Sequence, residues 1–417
     1  MKQELPVEDR IIGVVKQLQD AGYEAYIVGG AIRDILLNKQ PKDYDIATSA
    51  TPEEVRGVFG RRSVRIIGRR FRLAHLYLGR EILEISTFRR TPGRPDPEEE
   101  GDETEAAEPA GPILSDNDYG TAQEDAQRRD FTINALFYDP VTTEILDYTG
   151  MGLADIEAGM VRAIGDPAQR FAEDPVRMLR ALKLIGQFDF AFDAATENAL
   201  FDSLPLIRQA SPSRLSLELE KILSSSYGDK HLAAFHDFGF LGYFLPFFEE
   251  HWNTPQMEYA MQLFTERNYR VDEGAYRNSI SLATALLTLP FVEEAMGCSP
   301  GDLWDRRGSQ AVIRDLLGTI FRPQTMIKGV IASAESVLML QPQLFAMREE
   351  DLGLTERYGY AHAREALQIQ NYVCWKIDKL DGFWPAGGTP RKRPNRRRTH
   401  RGGGRGGDRN GQPNFNN

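Results

Sequence analysis

The stretch YIVGGAIRDILLNKQPKDYD, residues 26–45, constrains this chain more than any other. Tyr26-Ile27-Val28 is a short apolar run that reads as a buried strand. Gly29-Gly30 follow, and with no Cβ in the way a backbone there can come close to a ligand. Ala31–Leu37 reads as a helix, because Ile32, Ile35 and Leu36 recur at three-to-four spacing. A glycine turn that opens a helix offers N–H groups and the helix dipole to an anion such as phosphate. Asp43-Tyr44-Asp45 comes next. On a strand, residues i and i+2 share a face, so Asp43 and Asp45 are expected to present their carboxylates side by side. Hard oxygen donors of this kind suit Mg²⁺, which usually binds through one or two carboxylates plus substrate phosphates.

The flanking pattern predicts a small sheet around this stretch. Residues 7–20 have Val7, Ile11, Val14, Val15 and Leu18 on one helical side. Thr51-Pro52-Glu53-Glu54 reads as a helix start, with Thr51 as N-cap and Glu54 closing a capping box. Val64–Ile67, Leu73–Leu78 and Ile82–Phe88 read as strands, the last carrying Glu84. Leu136–Tyr138 and Glu144–Asp147 read as a hairpin. Between them, 91–118 is rich in Pro, Gly, Asp and Glu and reads as a mobile acidic loop. A helix is expected from about Thr121 through Asp130 and on to Ala135, with Asp130 and Asn134 four residues apart on one face beside Arg128 and Arg129. Arginine suits a triphosphate, and asparagine suits sugar or phosphate oxygens.

Beyond Tyr148 the periodicity is almost wholly helical, punctuated at Pro205, Gly228, Gly239, Pro246, Pro290 and Pro300. In Glu173-Asp174-Pro175-Val176-Arg177, Asp174 reads as an N-cap and Pro175 as the first helical residue. Arg177 and Arg180 lie a turn apart, and a guanidinium beside a carboxylate can hydrogen-bond the edge of a nucleobase. The expected fold class is α+β. It comprises a mixed-sheet head at 1–150, a helical neck at 151–215, a helical body at 216–385 and a disordered Arg/Gly-rich tail at 386–417.

Charge is divided along the chain. The tail holds nine Lys/Arg against one Asp, whereas the remainder has 41 basic and 60 acidic residues. An acidic body with a basic arm predicts that the arm meets nucleic-acid phosphates. Cys298 and Cys374 match no metal or redox spacing, which fits a reducing cytoplasm. MKQELPVEDR lacks the apolar segment of a signal peptide, and no apolar run is long enough to span a bilayer. A soluble cytoplasmic protein without a membrane partner is expected.

GGAIRD with DYD, then RRDFTINAL, then EDPVRMLRALK, resemble in that order the class II nucleotidyltransferases, the family of CCA-adding enzymes and bacterial poly(A) polymerases. The resemblance runs over about residues 20–250. It implies that Asp43 and Asp45 hold two Mg²⁺ ions and that Asp130 belongs to the active site; Glu84, on a later strand of the same small sheet, is the other candidate for a further catalytic carboxylate. It also implies that Gly29, Gly30 and Arg33 meet the phosphates of ATP, and that Arg128, Arg129 and Asn134 contact triphosphate and ribose. Asp174 and Arg177 would select the base. The stretch from Ile67 to His75 resembles the bacterial poly(A) polymerases, implying template-independent addition of AMP to RNA 3′ ends. A CCA-adding enzyme and an inactive RNA-binding protein are the alternatives.

Other features are expected to be structural. His236-Asp237 has only His231 close upstream, off its helix face, so no metal site is expected there. The aromatic residues from Phe235 to Phe248 read as helical core. Trp375 and Trp384 lie near the basic tail, where a ring can stack on RNA bases, and packing is expected for Trp375.

Overall fold

The computed structural model describes residues 1–68, 72–79, 81–90, 119–299, 304–305, 307–345, 349–378 and 384. The acidic stretch 91–118, residues 69–71 of the Ile67–His75 stretch and the basic tail at 386–417 lie outside the described residues.

The head is built on a seven-stranded sheet. Its strands are β1 (Ala25–Val28), β2 (Asp45–Thr48), β3 (Val64–Ile67), β4 (Leu73–Leu78), β5 (Glu81–Thr87), β6 (Leu136–Asp139) and β7 (Glu144–Asp147). The spatial order is β3-β4-β5-β2-β1-β6-β7. Every neighbouring pair is antiparallel except β2 and β5, which run parallel. Alternation along the strands gives the sheet two apolar faces. Ile27, Ile46, Leu83 and Ile85 share one core with Ile11, Val14, Val15 and Leu18 of α1 (Asp9–Asp20) and Ile32 of α2 (Gly30–Leu36). That core also takes Val55 of α3 (Pro52–Phe59), whose N-terminus is closed by the expected capping box of Thr51 and Glu54. The opposite face carries Val28, Ala47, Phe88 and Phe137, covered by Ala122 and Ala126 of α4 (Ala122–Arg128).

One expected helix is cut short. α4 stops at Arg128, Arg129 is extended, and Thr132–Asn134 form a single 3-10 turn. The cause is tertiary. Phe131 is fully buried and bridges to Ala163, while the Thr132 N–H donates to Arg162 O and the Ile164 N–H donates to Asp130 O. These strand-like bonds replace the helical ones that the local sequence favours.

Eight α-helices and a short parallel pair follow as α5 (Gly152–Ala158), β8 (Met160–Val161), α6 (Pro167–Glu173), α7 (Val176–Phe188), β9 (Ala191–Phe192), α8 (Ala194–Ser203), α9 (Pro212–Leu223), α10 (Gly228–Asp237), α11 (Leu241–Phe244) and α12 (Pro246–His251). Their core is continuous with the first face of the sheet, and Phe235, Phe240, Phe244 and Phe248 are fully buried in it. α7 and α10 cross closely at Gly186, where an added Cβ would lie 2.5 Å from the carbonyl oxygen of Lys230. A second core joins α13 (Pro255–Asp272), α14 (Ile280–Ala295), α15 (Ser309–Thr319), α16 (Lys328–Phe345) and α17 (Tyr360–Trp375). Pro290, expected as a break, sits inside α14. Trp384 is buried, and its Nε1–H donates to Leu344 O at 3.0 Å, whereas Trp375 is 47% exposed. The two tryptophans therefore exchange their expected surroundings. Among the described residues no helix is long and apolar enough to cross a membrane.

Candidate active site

The glycine turn is fixed by backbone geometry. Gly29 has φ 77°, a region that favours glycine, and its N–H donates to Leu136 O of β6 at 3.3 Å. An added Cβ at Gly29 would also stand 3.4 Å from Nη1 of Arg129. The turn thus holds the end of β1 open beneath an arginine.

Across the sheet from this turn lies a polar row. Val28 is the register partner of Asp45, Asp45 of Glu84, and Glu84 of His75. Cross-strand partners point to the same face, so this register brings Glu84 beside Asp45. His75 Nε2 stands 3.5 Å from Glu84 Oε1. Asp43 reaches the site differently from the way its spacing implies. β2 begins at Asp45, so Asp43 lies before the strand and the i, i+2 rule does not place it. Its charge nevertheless acts on Asp45. Desolvation raises the Asp45 carboxyl above its ordinary value, Glu84 and then Asp43 add to the rise, and only Arg129 opposes it. The Asp45 side chain is still reached by solvent. Three negative charges gathered at a strand end call for a cation. Among the described residues no three Asp, Glu, His or Cys side chains are grouped so as to hold a metal ion by themselves. An ion that takes one or two carboxylates and completes its shell with substrate phosphate and water fits this donor set.

The second motif is held rather than free. Arg129 donates to Asp125 Oδ2 from Nη2 at 2.9 Å and Nε at 3.2 Å, and its guanidinium lies 5.0 Å from the Phe137 ring. Arg33 is buried, donates twice to Asp34 Oδ1, and gives Nη1–H to Asn134 Oδ1 at 2.6 Å. Asn134 in turn donates Nδ2–H to Asp130 Oδ1 at 3.2 Å, and Asp130 Oδ2 pairs with Arg180 at 3.1 Å. Burial pushes the Asp130 carboxyl up, but Arg180, the Asn134 and Phe131 hydrogen bonds and Arg177 outweigh it and hold it below the usual range. The outcome is a relay, Asp34–Arg33–Asn134–Asp130–Arg180, that ties α2 to α7. Arg170 donates Nη2–H to the carbonyl oxygens of Arg128 and Arg129, so α6 grips the same segment.

The third motif pairs differently from its sequence neighbours. Asp174 receives both Nη groups of Arg214, at 3.0 and 2.8 Å, and accepts the Val176 N–H at 3.2 Å. α7 begins one residue later than expected, at Val176. Arg177 gives Nη1–H to Glu173 Oε2 at 3.1 Å and to Arg170 O at 2.9 Å. Sequence reading passed over Asp125, Arg170 and Arg214. Asp125 was detectable, being four residues before Arg129 on one helix face. Arg214 was not, since forty residues separate it from Asp174. His236 pairs with Glu249 and stacks on Trp252, in keeping with a structural part.

Residues 25–162 match the poly A polymerase head domain, and residues 189–251 match a domain described as a probable RNA and SrmB-binding site of polymerase A. Poly(A) polymerase I of Haemophilus influenzae is 38% identical over 287 residues, which cover 68% of this chain and 62% of that protein. Poly(A) polymerase I of Escherichia coli is 38% identical over 293 residues, covering 69% and 62%. A CCA-adding enzyme of Geobacillus is 33% identical over 263 residues, covering 63% and 61%. The chain thus spans less than two thirds of the length of these relatives. The Bacillus stearothermophilus CCA-adding enzyme in complex with CTP shares the fold with a TM-score of 0.58 at 24% identity, covering 88% of this chain and 78% of that one. A tRNA nucleotidyltransferase with primer tRNA and an incoming ATP analog gives 0.55 at 24%, covering 88% and 95%. Sheet, carboxylate row and domain matches agree on the class, that of the nucleotidyltransferases. Within that class the chain belongs to the family of bacterial poly(A) polymerases and CCA-adding enzymes.

Proposed function

We propose that this protein is a template-independent polynucleotide adenylyltransferase that adds AMP from ATP to RNA 3′ ends. The observation that carries the reading is Asp45, a carboxylate set among Asp43 and Glu84 at the mouth of the Gly29-Gly30 turn. Asp43 and Asp45 hold divalent metal, two Mg²⁺ ions in this reading, with Glu84 as the neighbouring carboxylate. Bound there, Mg²⁺ lowers the pKa of the attacking hydroxyl and neutralises charge on the leaving pyrophosphate. The glycine turn admits the phosphates, and Arg129, preset by Asp125, steadies them together with Arg128 and Arg33. Asp130 and Asn134 border the ribose, oriented by their mutual hydrogen bond. Asp174, held by Arg214, and Arg177, held by Glu173, form the edge that selects adenine. The RNA 3′ oxygen then forms a bond to the α-phosphorus as the bond to the β-phosphate oxygen breaks.

In this reading the work is divided between a nucleotide-handling head at 1–150, a base-selecting neck at 151–215 and an RNA-binding body at 216–385. The tail at 386–417 adds phosphate contacts, and the enzyme acts in the cytoplasm. The higher identity to poly(A) polymerase I supports the polyadenylating branch, while the 33% identity to a CCA-adding enzyme keeps that branch as the second reading. The test offers each labelled NTP alone, with Mg²⁺, to an unstructured RNA and to a tRNA lacking its CCA end. Long ladders from ATP on the unstructured RNA are expected. Addition of C, C and A to the tRNA followed by a stop would place the protein in the other branch.

A further inference from the structure

A second cationic site lies where head and helical region meet. α2 ends in a tight turn: the Asn38 N–H donates to Ile35 O, the Lys39 N–H donates to Asp34 O at 2.8 Å, and Asn38 has φ 56°. Asparagine tolerates that left-handed conformation, so the turn aims Lys39 at the helices. Its ammonium stands 4.5 Å from the Phe188 ring centroid at the end of α7 and 4.9 Å from that of Tyr227 before α10. Lys230, on the first turn of α10, places a second ammonium 5.6 Å from the same Tyr227 ring. The close crossing at Gly186 is what brings α10 near enough to α7 for this.

The two lysines differ from the other cations around them. Arg33, 4.7 Å above Phe188, is spent on Asp34 and Asn134. Among the described residues neither Lys39 nor Lys230 has a carboxylate within ion-pair distance, although both face one ring. The nearby anions are engaged elsewhere: Asp34 by Arg33, and Asp272 by the Ser226 hydroxyl at 3.2 Å. Burial first, and then the like charges of Lys230 and Arg33, lower the Lys39 pKa against the raising effect of Asp34 and Asp272. Two unpaired cations brought together by folding lack only an anion. Lys230 is exposed and Lys39 half-buried, so an anion can reach the pair.

We infer that Lys39 and Lys230, converging on Tyr227 at the head–helix junction, form a seat for backbone phosphate of single-stranded RNA. Tyr227 and Lys230 fall within the stretch that matches an RNA-binding domain, and Lys39 is the part that the head supplies. The inference rests on the proposed RNA-tailing activity, and it names where an upstream stretch of the primer is held. Contacts of this kind carry no sequence information, which suits a polymerase that accepts many 3′ ends.

The test uses the full chain and a labelled single-stranded RNA, without nucleotide, so that binding is read apart from catalysis. Lys39→Met with Lys230→Met keeps the apolar stems against the rings and removes both charges. Each phosphate contact to a single strand contributes about 0.7 to the slope of log affinity against log salt. The double variant is expected to lose about 1.4 from that slope, and Lys39→Arg with Lys230→Arg to keep it. An unchanged slope in the methionine variant, with a lowered melting temperature, would make the pair a head–helix latch and overturn the inference. If the slope falls as expected while no NTP is incorporated, the phosphate seat stands and the polymerase reading fails.

Discussion

Replacing Asp45 with Asn is expected to stabilise the metal-free protein while removing its activity. The register places Glu84 beside Asp45 on the neighbouring strand, and Asp43 adds a further negative charge. Directly opposed side chains on adjacent strands have Cβ atoms about 5 Å apart. Two charges at roughly that separation in a water-like dielectric repel by about 0.8 kcal/mol. Solvent screening at an accessible site and the opposing charge of Arg129 leave about 0.3–0.8 kcal/mol for the substitution to relieve. At about 2–4 °C per kcal/mol for domains of this size, the variant melts about 1–3 °C above wild type without metal. Mg²⁺ should reverse the order. At ten times its dissociation constant it stabilises wild type by about 1.4 kcal/mol, a gain that Asp45→Asn largely forgoes. Calorimetry of both proteins in EDTA and then in Mg²⁺ reads both effects. An Asn variant no more stable than wild type in EDTA, or an equal gain from Mg²⁺ in both, would refute a carboxylate cluster built for a cation.

Two further expectations concern buried groups. His231 is 1% exposed, neither ring nitrogen has a hydrogen-bond partner, and desolvation followed by the charge of Lys183 pushes its pKa down to about 3. A histidine depressed in the folded state costs stability as pH falls from about 6.5 toward 3, because the unfolded chain takes up the proton first. His231→Leu should therefore raise stability by about 1–3 kcal/mol and flatten the acid limb in urea titrations; an acid limb as steep as that of wild type would contradict this. Asp130 is held low by Arg180 and two hydrogen bonds, so its contribution is present above the unfolded carboxylate value and is lost as pH falls through its folded value. Asp130→Asn should cost about 1–2 kcal/mol at neutral pH and progressively less as the wild-type carboxylate is protonated in acid, and a cost that stays undiminished in acid would argue against the ion pair.

Much of the head was legible because its signals are local. The Thr51–Glu54 capping box, the strands at Val64–Ile67 and Leu73–Leu78, and the glycine turn each follow from a few adjacent residues. What the sequence misplaced was decided at a distance. RRDFTIN reads as helix, but the bridge of Phe131 to Ala163 interrupts it after Arg128 and leaves only a 3-10 turn at Thr132–Asn134. Asp174 appears beside Arg177 in sequence, yet α9 supplies its partner Arg214. Arg33 and Asn134 look like substrate ligands by type, while in the fold they first satisfy each other. Asp43 shows how a sound expectation can rest on an incomplete reason: it lies before the strand, yet its charge acts on Asp45.

The most direct measurement is Mg²⁺-dependent AMP incorporation from ATP onto an unstructured RNA by wild type, Asp43→Ala and Asp45→Ala, each checked for an unchanged circular dichroism spectrum. The account predicts long products from wild type and none above background from either variant. Near-normal AMP transfer by a folded variant, with the metal dependence of wild type, would contradict it.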